Sequence, residues 1–173
     1  MGNLASPEAM VLRWEEVLKD PSLQDLPYKI ELNAWGKVEM SPASFRHGRL
    51  QSALSAELIR QLPDGVTASE VSILTTIGIR VPDVSWASSE FIRHYGEITP
   101  LMRAPEICIE IVSPSNVPAE IEAKKKAFFA AGAREVWLVS EGGVIRYFDH
   151  SGEQKASCFP VTIVLTLPSQ SHP

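Results

Sequence analysis

The sequence predicts an α/β fold: a mixed β-sheet flanked by helices, in an α+β arrangement. Three observations lead there. The run Ile107-Cys108-Ile109-Glu110-Ile111-Val112 has strand length and apolar residues on both faces, as a covered central strand does. Phe45 to Leu62 instead carries apolar residues at helical spacing: Leu50, Ala53, Leu54, Leu58, Ile59 and Leu62. Around these two, the chain runs strands, helix, strands, helix, strands.

Taken in order, Pro7 to Leu18 reads as a short helix or arm, followed by a polar connection from Lys19 to Pro27. Tyr28–Leu32 and Lys37–Met40 read as short strands around a turn at Asn33-Ala34-Trp35-Gly36. Ser41-Pro42 opens the long helix and Pro63-Asp64-Gly65 ends it. Val66 to Val81, rich in Val, Ile and Thr, predicts two strands, with Gly78 at a hairpin or bulge and a third strand starting near Pro82. Ser88 to Pro105 predicts a loop or lid with a short helix near Glu90–Tyr95.

After the central strand, a helix is expected from about Val117 to Ala131. Ser115 or Asn116 would cap it, Glu120 and Glu122 would lie near its positive end, and Gly132 would close it. Glu135–Val139 and Val144–Phe148 read as strands joined at Glu141-Gly142-Gly143. Thr162 to Leu167 is expected to add an edge strand. The organisation predicted is one domain over residues 1–173, with an arm at 1–27, a core at 28–160 and a tail at 161–173, since 173 residues do not suffice for two ordinary domains.

Composition narrows the class further. Hydrophobic residues at 45% and charged residues at 21% suit a globular domain. Met1 to Leu12 has no basic start and long apolar run, so no signal peptide is expected, and no stretch approaches the roughly 18 apolar residues of a membrane span. Cys108 and Cys158 stand far apart and outside metal-ligand spacing, which predicts reduced thiols and a cytoplasmic location. A net charge of −5 argues against a strongly electropositive surface for nucleic acid. Two local basic stretches remain, Arg46-His47-Gly48-Arg49 and Lys124-Lys125-Lys126. On composition alone, solvated helix faces explain both.

Three residues stand out chemically. Glu110 lies within an otherwise apolar strand, where an unpaired carboxylate costs several kcal/mol. Its alternative is an exposed strand end. Asp83 follows Pro82 within another apolar stretch, at an edge, a bulge or a strand start, because proline removes a ladder donor. Its alternative is a solvated turn aspartate. Two such acids at strand ends suit Mg²⁺, which takes oxygen ligands and keeps several waters. Lys124 borders the helix face carrying Ile121 and Phe128, but Lys125 is equally near, and periodicity does not choose between them. Either lysine could simply cover the core with its stem. His47 is a candidate phosphate contact beside Arg46 and Arg49, though a lone histidine is more often structural. No Gly-rich phosphate loop, zinc spacing or G-x-S-x-G elbow is present.

The stretches KIELNAWGKVEMSPASFRHG, VPDVSWASSEFI, APEICIEIVSPSN and KKKAFFAAGAREVWLV resemble the Uma family of restriction-endonuclease-like proteins, abundant in bacterial genomes. The likeness spans about Tyr28 to Phe148. That family is similar to the PD-(D/E)xK nucleases, which implies a mixed sheet between helices. It also implies Asp83 and Glu110 as the acids, with Glu31 of the Y-x-x-E-L opening as a fourth site member. Val112 stands where the usual strand lysine would be. The resemblance implies that this lysine has moved to the following helix, at Lys124.

The implied activity is a Mg²⁺- or Mn²⁺-dependent endonuclease that hydrolyses phosphodiester bonds in nucleic acid, DNA first. Asp83, Glu110 and the Ile111 carbonyl would hold the metal, and Lys124 would position the attacking water. Glu31 would hold a second metal or its water. A homodimer is one assembly open to it, and no membrane is involved. The alternative is a nuclease-fold binding or regulatory module that no longer cleaves, which the acidic net charge favours. A structural protein with buried ion pairs is a blander third reading.

Overall fold

A computed structural model describes residues 4–42 and 44–166. Residues 1–3, Ala43 and 167–173 lie outside it, including Leu167 at the end of the expected tail strand.

Helix α1 (Pro7–Lys19) starts where Ser6 accepts a hydrogen bond from the Ala9 amide and Pro7 takes the first helical position. Its buried residues Met10, Trp14 and Val17 recur at helical spacing. They pack on Leu32, Ile79 and Val81. Strands β1 (Tyr28–Asn33) and β2 (Val38–Pro42) form an antiparallel hairpin. In its turn, Asn33 Oδ1 accepts from the Trp35 and Lys37 amides, both at 3.1 Å.

Helix α2 (Phe45–Gln61) is capped by Ser44, whose hydroxyl accepts from the His47 amide. Leu50, Leu54 and Leu58 form its buried stripe, and burying each leucine contributes about 1.5–3 kcal/mol. Ile59 differs from the expected stripe: it is 60% exposed, because the face narrows to one residue per turn.

Val66 to Val81 holds three strands rather than two: β3 (Gly65–Ser69), β4 (Ile73–Thr75) and β5 (Gly78–Arg80). Glu70, at φ 54°, lies where the chain passes from one sheet to the other. Gly78, at φ 111°, closes the β4–β5 hairpin, and a Cβ there would strike the Leu32 and Asn33 backbone.

Strand β6 (Val84–Ser88) leads into α3 (Ser89–Tyr95), and β7 (Ile107–Val112) into α4 (Pro118–Ala131). Neither Ser115 nor Asn116 caps α4. Pro118 starts the helix after Val117, while Asn116 Oδ1 accepts instead from the Ser113 amide at 2.7 Å. Gly132, at φ 110°, closes α4. Strands β8 (Glu135–Ser140) and β9 (Ile145–Asp149) follow, then β10 (Gly152–Gln154), which the sequence did not announce.

The strands form two sheets, not one. A four-stranded antiparallel sheet has the order β2-β1-β5-β4, and a six-stranded sheet the order β10-β9-β8-β7-β6-β3. Among the described strands, β7 and β8 alone pair in parallel, joined through α4. In β7, Ile107, Ile109 and Ile111 join the α2 leucines in one core, and Cys108 joins Phe128 of α4 in another.

The described tail forms no strand. Val161 and Ile163 are buried while Thr162 faces outward, so a strand-like alternation is present without a ladder. The Gln61 side-chain amide takes the partner's place: Oε1 accepts from Thr162 N and Nε2 donates to Thr162 O, both at 2.9 Å. Among the described residues, no helix is long and apolar enough to cross a membrane.

Candidate active site

The two sheets meet where β1, β5, β6 and β7 bring charged side chains together. Pro82 precedes β6, and Asp83 stands just before its first residue, only 1% exposed. Its Oδ2 accepts from the Ile111 amide at 2.7 Å. Its Oδ1 accepts from Lys29 Nζ at 2.6 Å and lies 3.2 Å from His47 Nε2. Gln51 of α2 donates to the Asp83 carbonyl at 2.9 Å. Burial alone would raise the Asp83 pKa. The His47 hydrogen bond and the Lys29 charge outweigh it and hold the pKa down at about 2.

Glu110 projects from β7 on the side opposite Ile109 and Ile111, toward α4, and is 8% exposed. Its Oε2 lies 3.6 Å from Lys29 Nζ and its Oε1 3.0 Å from Lys124 Nζ. The contact with Lys124 is close but not aligned, so Oε1 is a buried oxygen without a hydrogen bond. Burial raises the Glu110 pKa. Lys124 and Lys29 oppose that, while repulsion from Asp83 and Glu31 adds to it. The two acids of one site are therefore driven in opposite directions.

Glu31 enters from β1. Its Oε1 accepts from the Val81 amide at 2.7 Å and lies 3.0 Å from Lys124 Nζ. Arg80 reaches its Oε2 at 3.4 Å and also binds Glu39 at 2.6 Å. Burial would raise the Glu31 pKa, but Lys124, Lys29 and the Val81 amide lower it.

The lysine ambiguity resolves geometrically. Lys124 bridges Glu31 and Glu110, whereas Lys125 pairs with Glu122 at 2.8 Å and lies over the Phe148 ring. Lys126 is 75% exposed. In the other basic stretch, His47 lines the cavity and binds Asp83, which raises its pKa. Arg46 is exposed and Arg49 half-buried, and neither lines the cavity. Cys108 and Cys158 are both free.

Sequence reasoning missed Lys29 and Arg80. Lys29 stands two residues before Glu31, hence on the same face of β1, and that spacing was available as a signal. Arg80 had none, since its pairing with Glu31 depends on β1 and β5 lying side by side.

Lys29, Glu31, His47, Arg80, Asp83, Glu110 and Lys124 line one cavity of about 740 Å³, bordered also by Ser41, Ser113 and Ser115. Among the described residues, no three or more His, Cys, Asp and Glu side chains form a metal-holding group. Lysines interleave the acids instead.

Among solved structures, a protein of Anabaena variabilis ATCC 29413, described as "a putative nuclease belonging to DUF820", shares the fold. It is 21% identical, with 79% of this chain and 83% of that chain covered and a TM-score of 0.57. The fold shared with that protein is a mixed α+β one, with two sheets flanked by helices. The chain belongs to the Uma2 family, described as "Putative restriction endonuclease", whose model matches residues 13–160. No curated protein matches it.

Proposed function

We propose that this single-domain protein is a cytoplasmic, Mg²⁺- or Mn²⁺-dependent phosphodiesterase that cuts nucleic acid, DNA first. One observation carries the reading. The Lys124 ammonium lies 3.0 Å from both Glu31 and Glu110, at the wall of an open cavity that also holds Asp83. The family description and that of the Anabaena protein support it.

The donor set fits a hard divalent cation. It is all oxygen, two carboxylates and a main-chain carbonyl, and Asp83 Oδ1 and Glu110 Oε2 already converge on one cationic group, the Lys29 ammonium. Asp83, Glu110 and the Ile111 carbonyl would hold the ion, and Glu31 would hold a second ion or its water. A bound ion would acidify a coordinated water and screen the phosphate charge. Asp83 is held in place for this by the Ile111 amide, independently of any cation. Lys124 would orient the attacking water and face charge developing on phosphate. His47 would contact phosphate from the cavity wall, with Arg46 and Arg49 meeting the flanking backbone.

The test is incubation of purified protein with labelled DNA and RNA, with Mg²⁺ or Mn²⁺ and with chelator, beside Asp83→Ala. Metal-dependent cleavage lost in the variant is expected, and cleavage retained by Asp83→Ala ends the reading. A second reading, a non-cleaving nucleic-acid-binding module, draws on the pairing of every site acid with a cation of the chain itself. It predicts nucleic-acid binding without strand scission.

A further inference from the structure

Lys29 occupies an unusual position. Its ammonium lies between the two acids, 2.6 Å from Asp83 Oδ1 and 3.6 Å from Glu110 Oε2. These are the carboxylates that a shared cation would have to bridge. We propose that Lys29 is the resident counter-ion of the Asp83–Glu110 pair, and that its ammonium must withdraw for a divalent cation to bind there. The inference rests on the metal-dependent reading above.

Three features make Lys29, rather than Lys124, the exchanging group. Lys124 joins Glu110 to Glu31 and makes no salt bridge to Asp83, so it can stay while withdrawal of Lys29 uncovers Glu110 Oε2 and leaves His47 as the one side chain on Asp83 Oδ1. Asp83 does not depend on Lys29 for its orientation, because the Ile111 amide and His47 also hold it. Lys29 also has somewhere to go. It lines the open cavity, and Ser41, its cross-strand neighbour on β2, lines the same cavity. The withdrawn ammonium then faces the space a phosphate would enter.

The physical logic is competition of two cations for one pair of oxygens. Two buried carboxylates side by side repel, and without a metal the repulsion is relieved by a proton on one of them or by a positive charge between them. A tethered ammonium supplies it. It lowers the apparent metal affinity by the free energy of the ion pairs that must be broken, and linkage makes the effect reciprocal.

The experiment is calorimetric titration of Mn²⁺ into wild type, Lys29→Met, Lys124→Met and Lys126→Met. Lys29→Met should bind Mn²⁺ roughly 5- to 150-fold more tightly than wild type, the usual span of such couplings. Lys124→Met should gain less and Lys126→Met nothing. Equal gains in Lys29→Met and Lys124→Met would reveal a general charge effect and overturn the proposal, as would Lys29→Met binding no tighter than wild type. If wild type binds Mn²⁺ and Lys29→Met binds no tighter, only the role of Lys29 falls. If neither takes up Mn²⁺, the metal-dependent function falls with it.

Removing the ammonium can also unfold the protein, so wild type carries a second measurement. With ¹³C at the lysine ε carbons, Ca²⁺ is titrated and the Lys29 resonance, identified by its loss in Lys29→Arg, is followed. It should shift as Ca²⁺ binds while that of Lys125 stays. A stationary Lys29 resonance through saturable binding overturns the exchange.

Discussion

The Ile111 amide donates to Asp83 Oδ2 across 2.7 Å, fastening the end of β7 to the start of β6. One backbone group thus aims a side chain of the neighbouring strand. Asp83→Ala should nearly abolish cleavage and also destabilise the fold, because Lys29, His47 and the amide all lose their acceptor. Breaking a buried ion pair from one side costs about 3–5 kcal/mol. Single-turnover cleavage and urea unfolding check the two effects separately.

Lys124→Ala should slow the chemical step by about 10²–10³, the scale for losing one electrostatic stabiliser, while Mn²⁺ binding is retained. Lys126→Ala should leave the rate alone, since its side chain is 75% exposed. Equal rate losses in the two variants would remove Lys124 from the mechanism.

Glu110 and Asp83 should respond oppositely to loss of charge. Burial raises the Glu110 pKa, so its ionised form weakens the fold as pH climbs above the ordinary carboxylate value of 4.5. Glu110→Gln should therefore raise the melting temperature at neutral pH, lose that advantage in acid, and lose cleavage throughout. A lower melting temperature at neutral pH would mean that the lysines dominate burial.

Asp83 gives the acid limb. Its pKa falls from 3.8 to about 2 on folding, so its stabilisation is complete above 3.8 and lost as pH drops through about 2. Asp83→Asn should flatten the urea midpoint against pH in that window. An unchanged slope would show that its ion pairs do not survive in solution.

Two adjacent residues of α2 should separate cleanly. Leu58, fully buried, should cost about 2–5 kcal/mol as Leu58→Ala. Ile59→Ser should stay within about 0.5 kcal/mol, because Ile59 is 60% exposed. Guanidinium melts of both variants decide it.

What the sequence disclosed follows from where information is local. Asp83 and Glu110 were visible because a carboxylate on an apolar strand is conspicuous without knowing its neighbours. Lys124 needed the family likeness, since periodicity left Lys125 level with it. Lys29, although two residues from Glu31, resembles a solvated lysine until Asp83 and Glu110 are known to lie against it. Arg80 was obscured because a charged residue on a short strand resembles a solvated one until β1 is known to pair with β5. The same non-local pairing hid the division into two sheets. In the tail, where Thr162 to Leu167 is expected to add an edge strand, Val161 and Ile163 do face inward, but facing is not pairing, and no strand forms among the described residues. Their burial is satisfied without a neighbouring strand.

The Gln61–Thr162 clasp has a consequence for self-association. An extended segment with unpaired amides and carbonyls is a template on which another chain can add a strand. At Thr162 both main-chain groups are already engaged by one side-chain amide. Among the described tail residues, Thr162 thereby offers no free main-chain donor and acceptor to an added strand. Gln61→Ala would restore a free donor and acceptor there, beside Val164, which is 80% exposed. A glutamine at the end of α2 so occupies the two main-chain groups through which an added strand would pair at this residue.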